Sequence, residues 1–215
     1  MSREFEIVEQ GRECDPPSDP DDLIAMRPIA AADAGCYERY VAAGQGGTGW
    51  WLGSAREEAG LGPEVCLSTG RGLDGAPVEG GGYGELALLL AGVDPASGRR
   101  IVVSHPSHWC GVDVVCRAPA EIGIFALHPD PAVRGVMWDG HRKAVRATVA
   151  WLEERAGGRI VAAAFEHAAS SGGEPYVHTH LIVPSFVWEG GRRARRARGV
   201  DDGSARAALF DGARA

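Results

Sequence analysis

The sequence predicts an α+β fold, a central antiparallel sheet with flanking helices, and three stretches carry that expectation. In "RIVAAAFEHAASSGGEPYVHTHLIV" two apolar, β-branched runs flank a polar loop rich in glycine, the pattern of a hairpin. "CGVDVVCRAP" alternates Val112, Val114 and Cys116 against Asp113 and Val115, as a strand does. Between Ala132 and Ala156, Val133, Val136, Met137, Val145, Val149 and Leu152 recur at helical intervals before a Gly157–Gly158 stop.

From the N-terminus, "AMRPIAAADAGCYERYVAAG" reads as a short strand and then a helix closed by Gly44, with "GQGGTG" as a loop. "WWLGSAREEAGLG" reads as a tight turn and a short helix, with Ser54 as N-cap, Glu57 in capping-box position and Gly60 or Gly62 as the stop. Thr69 to Gly84 is loop-like, "ELALLLAG" a short apolar helix and "IVVSH" a strand. Beyond the last strand, Gly190–Gly191 suggest another hairpin turn. "RRARRAR" (192–198) then reads as a solvated turn or a patch that contacts phosphate.

Composition narrows the function. The 215 residues, 45% hydrophobic and 24% charged, suit one globular domain with a sizeable core. Residues 1–25 hold eight acids and two arginines, a net of −6 within the chain's −7, so 26–215 carry only −1. The first 25 residues are therefore expected to form an acidic, flexible leader, and 26–215 a single domain. A nearly neutral body supplies no electrostatic case for a polyanionic partner. With no apolar run of about 20 residues and no signal-peptide pattern, a cytoplasmic protein off the membrane is expected. Five scattered cysteines without a C-x-x-C pair read as reduced thiols.

Three of the seven histidines carry the chemistry. His178 and His180 are two apart and share one face of a strand. If His167 ends the preceding strand of the hairpin, it faces them across the ladder. Three imidazoles form a first shell for a divalent cation and leave open positions, which suits Lewis-acid catalysis. Nitrogen ligands alone admit Zn, Mn, Ni, Co, Fe or Cu. His105, His108, His128 and His141 stand singly and read as solvated or locally hydrogen bonded.

In "VAAAFEHAASSGGEPYVHTHLIV", an F-x-H, a polar loop and a proline followed by H-T-H, the sequence resembles the metal motif of MobF-type (TrwC/TraI-like) conjugative relaxase domains, which are HUH endonucleases. Weaker likenesses run from about Pro28 to Gly212: "AADAGCYERY" resembles the tyrosine-bearing first helix and "GVDVVCRAP" the aspartate strand. The resemblance implies a palm of antiparallel strands carrying a metal held by His167, His178 and His180, with Mg or Mn favoured. It implies a tyrosine, Tyr37 or Tyr40, that attacks a phosphodiester of single-stranded DNA, and Asp113 as the group that orients a histidine or accepts the nucleophile's proton.

The sequence also departs from that family. Cys36 occupies the first of two adjacent tyrosine positions, and Arg117 to Glu121 replace a Ser-Ala-Pro-Lys-Ser run. Ser170–Ser171 and Ser185 stand where the family has Ser-Arg and Asn. Two readings follow. One is a metal-dependent nickase of single-stranded DNA, helped by "RRARRAR" and by base stacking on Trp50 and Trp51. The other is a relaxase scaffold repurposed for a small-molecule substrate, with Asp113 or Glu121 as acid–base partners.

Overall fold

In the computed structural model of the chain, residues 23–35, 37–38, 49–79, 81–102, 109–169, 175–190 and 193–196 are described. The strands are β1 (Ile24–Ala30), β2 (Trp50–Leu52), β3 (Trp109–Arg117), β4 (Ala162–Ala169) and β5 (Pro175–Pro184), followed by the hairpin strands β6 (Phe186–Gly190) and β7 (Arg193–Arg196). The helices are α1 (Glu85–Leu90), α2 (Ala120–Gly123) and α3 (Pro131–Ala156). A five-stranded sheet has the order β1-β3-β5-β4-β2 with every pairing antiparallel, and β6 and β7 form a second, two-stranded sheet. The α+β expectation is met.

Both faces of the sheet are covered. On one, Val145, Val149, Leu152 and Ala156 of α3 pack on Val114, Leu181 and Val183. On the other, Leu86, Leu89 and Leu90 of α1 join Trp51, Val65, Phe165 and Ile182. Central β5 is therefore buried on both sides, which is why "HLIV" is a continuous apolar run rather than an alternating one.

The long helix begins and ends as its sequence demands. The Asp130 carboxylate caps it by accepting the Ala132 N–H at 2.8 Å, Pro131 takes the first turn, and Gly157 closes it at φ 64°. Met137, Val145, Val149 and Leu152 face inward, but Val136 is 75% exposed. Val136 lies about 100° around the helix from Met137, off the stripe, and buried His141 occupies the stripe instead.

Three expectations are corrected. "WWL" is an edge strand, β2, and residues 54–60 are turns rather than a helix. Ser54 caps nothing there: its hydroxyl and its N–H both donate to Glu153 Oε1 of α3, at 2.6 and 2.8 Å. The turn is drawn against the chain after α3, where the Ala55 N–H meets the Ile160 carbonyl at 3.1 Å. The third correction is Ile101 and Val102, which form a bend; the rest of "IVVSH" lies outside the described residues.

Residues 34, 35, 37 and 38 are helical, as the first helix requires, while its end at Gly44 and the "GQGGTG" loop lie outside the described residues. So does the leader up to residue 22, and β1 starts at Ile24. In the basic run, Arg193–Arg196 form β7, and Arg195 is engaged by Glu189 and by the Gly157 carbonyl. No described helix is long and apolar enough to cross a membrane.

Candidate metal centre

The β4–β5 register sets His167 directly opposite His178, with Phe165 opposite His180. The period of two then brings all three imidazoles to one face. Their ring centroids stand 4.9, 5.1 and 5.1 Å apart, and one ligand atom from each lies within 4.8 Å of the others. Among the described residues this is the one group of three or more His, Cys, Asp or Glu able to hold a metal.

The hydrogen bonds fix how two of the rings present themselves. His178 Nδ1 lies 2.9 Å from the Tyr176 carbonyl, which can only accept, so Nδ1 carries the proton and Nε2 keeps its lone pair. His180 Nδ1 lies 2.8 and 3.1 Å from the two oxygens of Asp113, and the same reasoning frees its Nε2. A carboxylate behind a ligating imidazole holds the tautomer and raises the ring's basicity. Burial, with lesser contributions from the neighbouring imidazoles, pulls His178 down to about 4, so it is neutral and able to ligate at neutral pH. The donor set thus fits a divalent cation.

The opposite face of the same strands ties the site to α3. Thr179, between the two histidines, bonds His141 Nε2 at 2.8 Å. Glu166, beside His167, takes a bidentate pair of 2.8 Å bonds from Arg142. Successive residues of α3 therefore clamp β4 and β5 from behind and hold the imidazoles in register. His141 is thus not solvated but buried, with its pKa lowered by that burial.

Asp113 is buried beneath the cluster and serves two partners. Besides His180, its Oδ2 accepts the Tyr37 hydroxyl at 2.5 Å. Tyr37, Asp113 and His180 form a continuous chain leading to the cluster. Tyr40 and Cys36 lie outside the described residues, as do His105 and His108.

The other candidates sit elsewhere. Glu121 is exposed on α2, and His128 accepts the Asp130 N–H. Trp51 is 2% exposed, with its indole N–H on Glu85, so it offers no face for a base; Trp50 is half-buried, with the Arg142 guanidinium over its ring. Burial pushes the Cys116 thiol up to about 11, which leaves it unreactive. No disulfide joins the described cysteines Cys66, Cys110 and Cys116. Two residues escaped sequence reasoning. Tyr176 stacks on His178 at 4.5 Å, and the period of two from His178 could have found it. Glu38 is buried beside Tyr37, and no sequence pattern marks it.

The profile of the TrwC relaxase family matches residues 25–208. No curated protein matches the sequence. Among solved structures, the conjugative relaxase TrwC in complex with oriT DNA is similar in its metal-free form, with 20% identity and a TM-score of 0.58 over 82% of this chain and 60% of that one. Its metal-bound form is similar at 19% identity and a TM-score of 0.60, over 89% and 66%. Its copper-bound form is similar at 20% identity and 0.58, over 89% and 66%. The chain thus spans 60–66% of the length of these solved relaxase chains.

Proposed function

The chain belongs to the TrwC relaxase family, and from that premise we propose that residues 26–215 form one relaxase domain that nicks single-stranded DNA by metal-dependent transesterification. The observation that carries the reading is the continuous set Tyr37–Asp113–His180 leading to the cluster of His167, His178 and His180. A half-buried tyrosyl hydroxyl joined through a buried carboxylate to three imidazoles supports a reading with a hydroxyl nucleophile, a base and a bound cation.

His167, His178 and His180 would hold the cation; the family resemblance favours Mg or Mn, and three nitrogen donors also suit Zn, Ni, Co, Fe or Cu. Bound there, it supplies positive charge against a phosphoryl oxygen as charge builds on it. The protein's own residues do the rest. A phenol with an ordinary pKa near 10 needs a base to attack at neutral pH, and Asp113 already accepts the Tyr37 hydroxyl. As the phenolic oxygen bonds to phosphorus, its proton passes to Asp113. The bond from phosphorus to the 3′-oxygen breaks, and that oxygen leaves with its electron pair and takes a proton from water. The products are a 5′-phosphotyrosine and a free 3′-hydroxyl.

The solved TrwC complexes with oriT DNA support this choice of partner, and we place the protein in the cytoplasm with that DNA. No specific observation favours the small-molecule reading: Glu121 is exposed rather than part of the cluster. The test is incubation with Mn and a pool of single-stranded oligonucleotides, followed by intact-mass spectrometry. A covalent protein–DNA adduct, lost in His178→Ala, is expected. Metal-replete protein that forms no adduct with oligonucleotides it demonstrably binds would overturn the proposal.

A further inference from the structure

The residue after Tyr37 is as buried as His178, and the chemistry above does not use it. Glu38 is 3% exposed, and its carboxylate reaches residues 46 and 48 further along the chain. Oε2 accepts the Gly84 N–H and Oε1 the Leu86 N–H, each at 3.1 Å, at the start of α1. Burial raises the carboxyl to about 7 against the pull of these backbone bonds. Its two backbone bonds tie the helical turn of Tyr37 to the start of α1 in a place that water does not reach.

Packing points the same way. A Cβ on Gly84 would lie 2.3 and 2.4 Å from the two Glu38 oxygens, so the absence of a side chain there makes room for the carboxylate. On the other side of Tyr37, a Cβ on Gly35 would lie 2.6 Å from the Tyr83 ring. The helical turn bearing Tyr37 is therefore seated at both ends on residues 83–86. That seat is itself fixed, because Glu85 Oε2 accepts the Trp51 indole N–H and the Cys66 N–H, both at 2.9 Å.

We propose that Glu38 is a positioning residue for Tyr37: its two bonds to the start of α1 set the rotation and height of the helical turn so that the Tyr37 hydroxyl meets Asp113. The proposal deepens the relaxase reading and rests on Tyr37 as its nucleophile. Adjacent residues of a helix turn together, so withdrawing the carboxylate from α1 displaces the phenol. A misplacement of about 1 Å at a reacting group can cost on the order of 100-fold in rate.

The test uses the full chain with Glu38→Gln and, independently, Gly84→Ala. The second leaves Glu38 intact but evicts its carboxylate, and the Gly84 backbone at φ −78° accepts alanine. Three quantities are read: the ¹³Cζ-tyrosine resonance of Tyr37, assigned by its loss in Tyr37→Phe; the rate of adduct formation at saturating oligonucleotide; and Mn affinity. Both variants are expected to move the Tyr37 resonance toward that of a solvated phenol and to slow adduct formation about 100-fold, with Mn affinity kept within about twofold. An unmoved Tyr37 resonance in either folded variant, or a loss of Mn affinity as large as the loss of rate, would overturn the proposal. Wild-type protein that forms no adduct would refute the nucleophile assignment instead, and the resonance would still decide whether Glu38 holds Tyr37.

Discussion

Replacing Asp113 by asparagine keeps the shape of the side chain and removes its charge. Both Asp113 and His180 are buried, so water cannot take over the lost contacts. In the native protein the His180 Nδ1–H meets two carboxylate oxygens, at 2.8 and 3.1 Å, and the Tyr37 hydroxyl shares the nearer one. An asparagine must put an N–H₂ at one of those two places. With its oxygen at the shared position, the amide N–H₂ stands against the Nδ1–H of His180. With the amide turned over, its N–H₂ takes the nearer place and favours the tautomer in which Nδ1 accepts and the proton sits on Nε2, where it blocks ligation. Either outcome weakens the cation site, by about 10- to 100-fold in affinity, or roughly 1.4–2.7 kcal/mol. The assay is competitive titration of Mn or Zn against a chelator, followed by calorimetry. Tyr37→Phe removes the hydroxyl but not the Asp113–His180 bond, and is expected to stay within about threefold of wild type. Wild-type metal affinity in a folded Asp113→Asn, or an equal loss in Tyr37→Phe, would show that the Asp113 carboxylate does not set the His180 tautomer for ligation.

Two further predictions concern stability. Gly135 and Gly140 lie inside α3 where a Cβ would meet nothing within 4 Å beyond the adjacent residues and the helix's own backbone, so Gly135→Ala and Gly140→Ala should each stabilise by about 0.5–1 kcal/mol. Denaturant unfolding with unchanged or lower stability would count against the open, helical setting. Glu38 provides a pH dependence. Its folded pKa, raised to about 7 by burial and, to a smaller degree, by Glu85, exceeds its ordinary value of about 4.5. The folded state therefore binds more protons between those values, and the Glu38 contribution to stability is present below about pH 4.5 and is lost as pH rises through 7. Wild type should lose up to about 3 kcal/mol relative to Glu38→Gln between pH 4.5 and 8. Parallel pH profiles for the two proteins would contradict the burial of that carboxyl.

The three-histidine cluster was legible because its determinants are local. A spacing of two puts His178 and His180 on one face, and a hairpin loop with glycines returns the chain so that His167 lies opposite His178. The long helix was legible from its stripe and its Asp130 and Gly157 caps. What escaped are bonds between residues far apart in the chain, which no local pattern encodes. Tyr37 meets Asp113 across 76 positions, Glu38 meets Gly84 across 46, and His141 meets Thr179 across 38. Strand β2 has three residues, too short a run to show alternation, and the base stacking expected of Trp51 gives way because the core and Glu85 claim its ring. Ser54 had the neighbours of an N-cap, but the reach of Glu153 from α3 decided its role.

The role of Tyr37 as nucleophile is tested by locating the attachment point of DNA on the protein. The covalent adduct formed in Mn with single-stranded oligonucleotides would be digested and the nucleotide-bearing peptide sequenced by mass spectrometry, with Tyr37→Phe and Tyr40→Phe run beside wild type. With Tyr37 as the nucleophile, phosphotyrosine is expected at Tyr37, with the adduct abolished by Tyr37→Phe and retained by Tyr40→Phe. Attachment at Tyr40 or Cys36, or an adduct undiminished in Tyr37→Phe, would contradict that role.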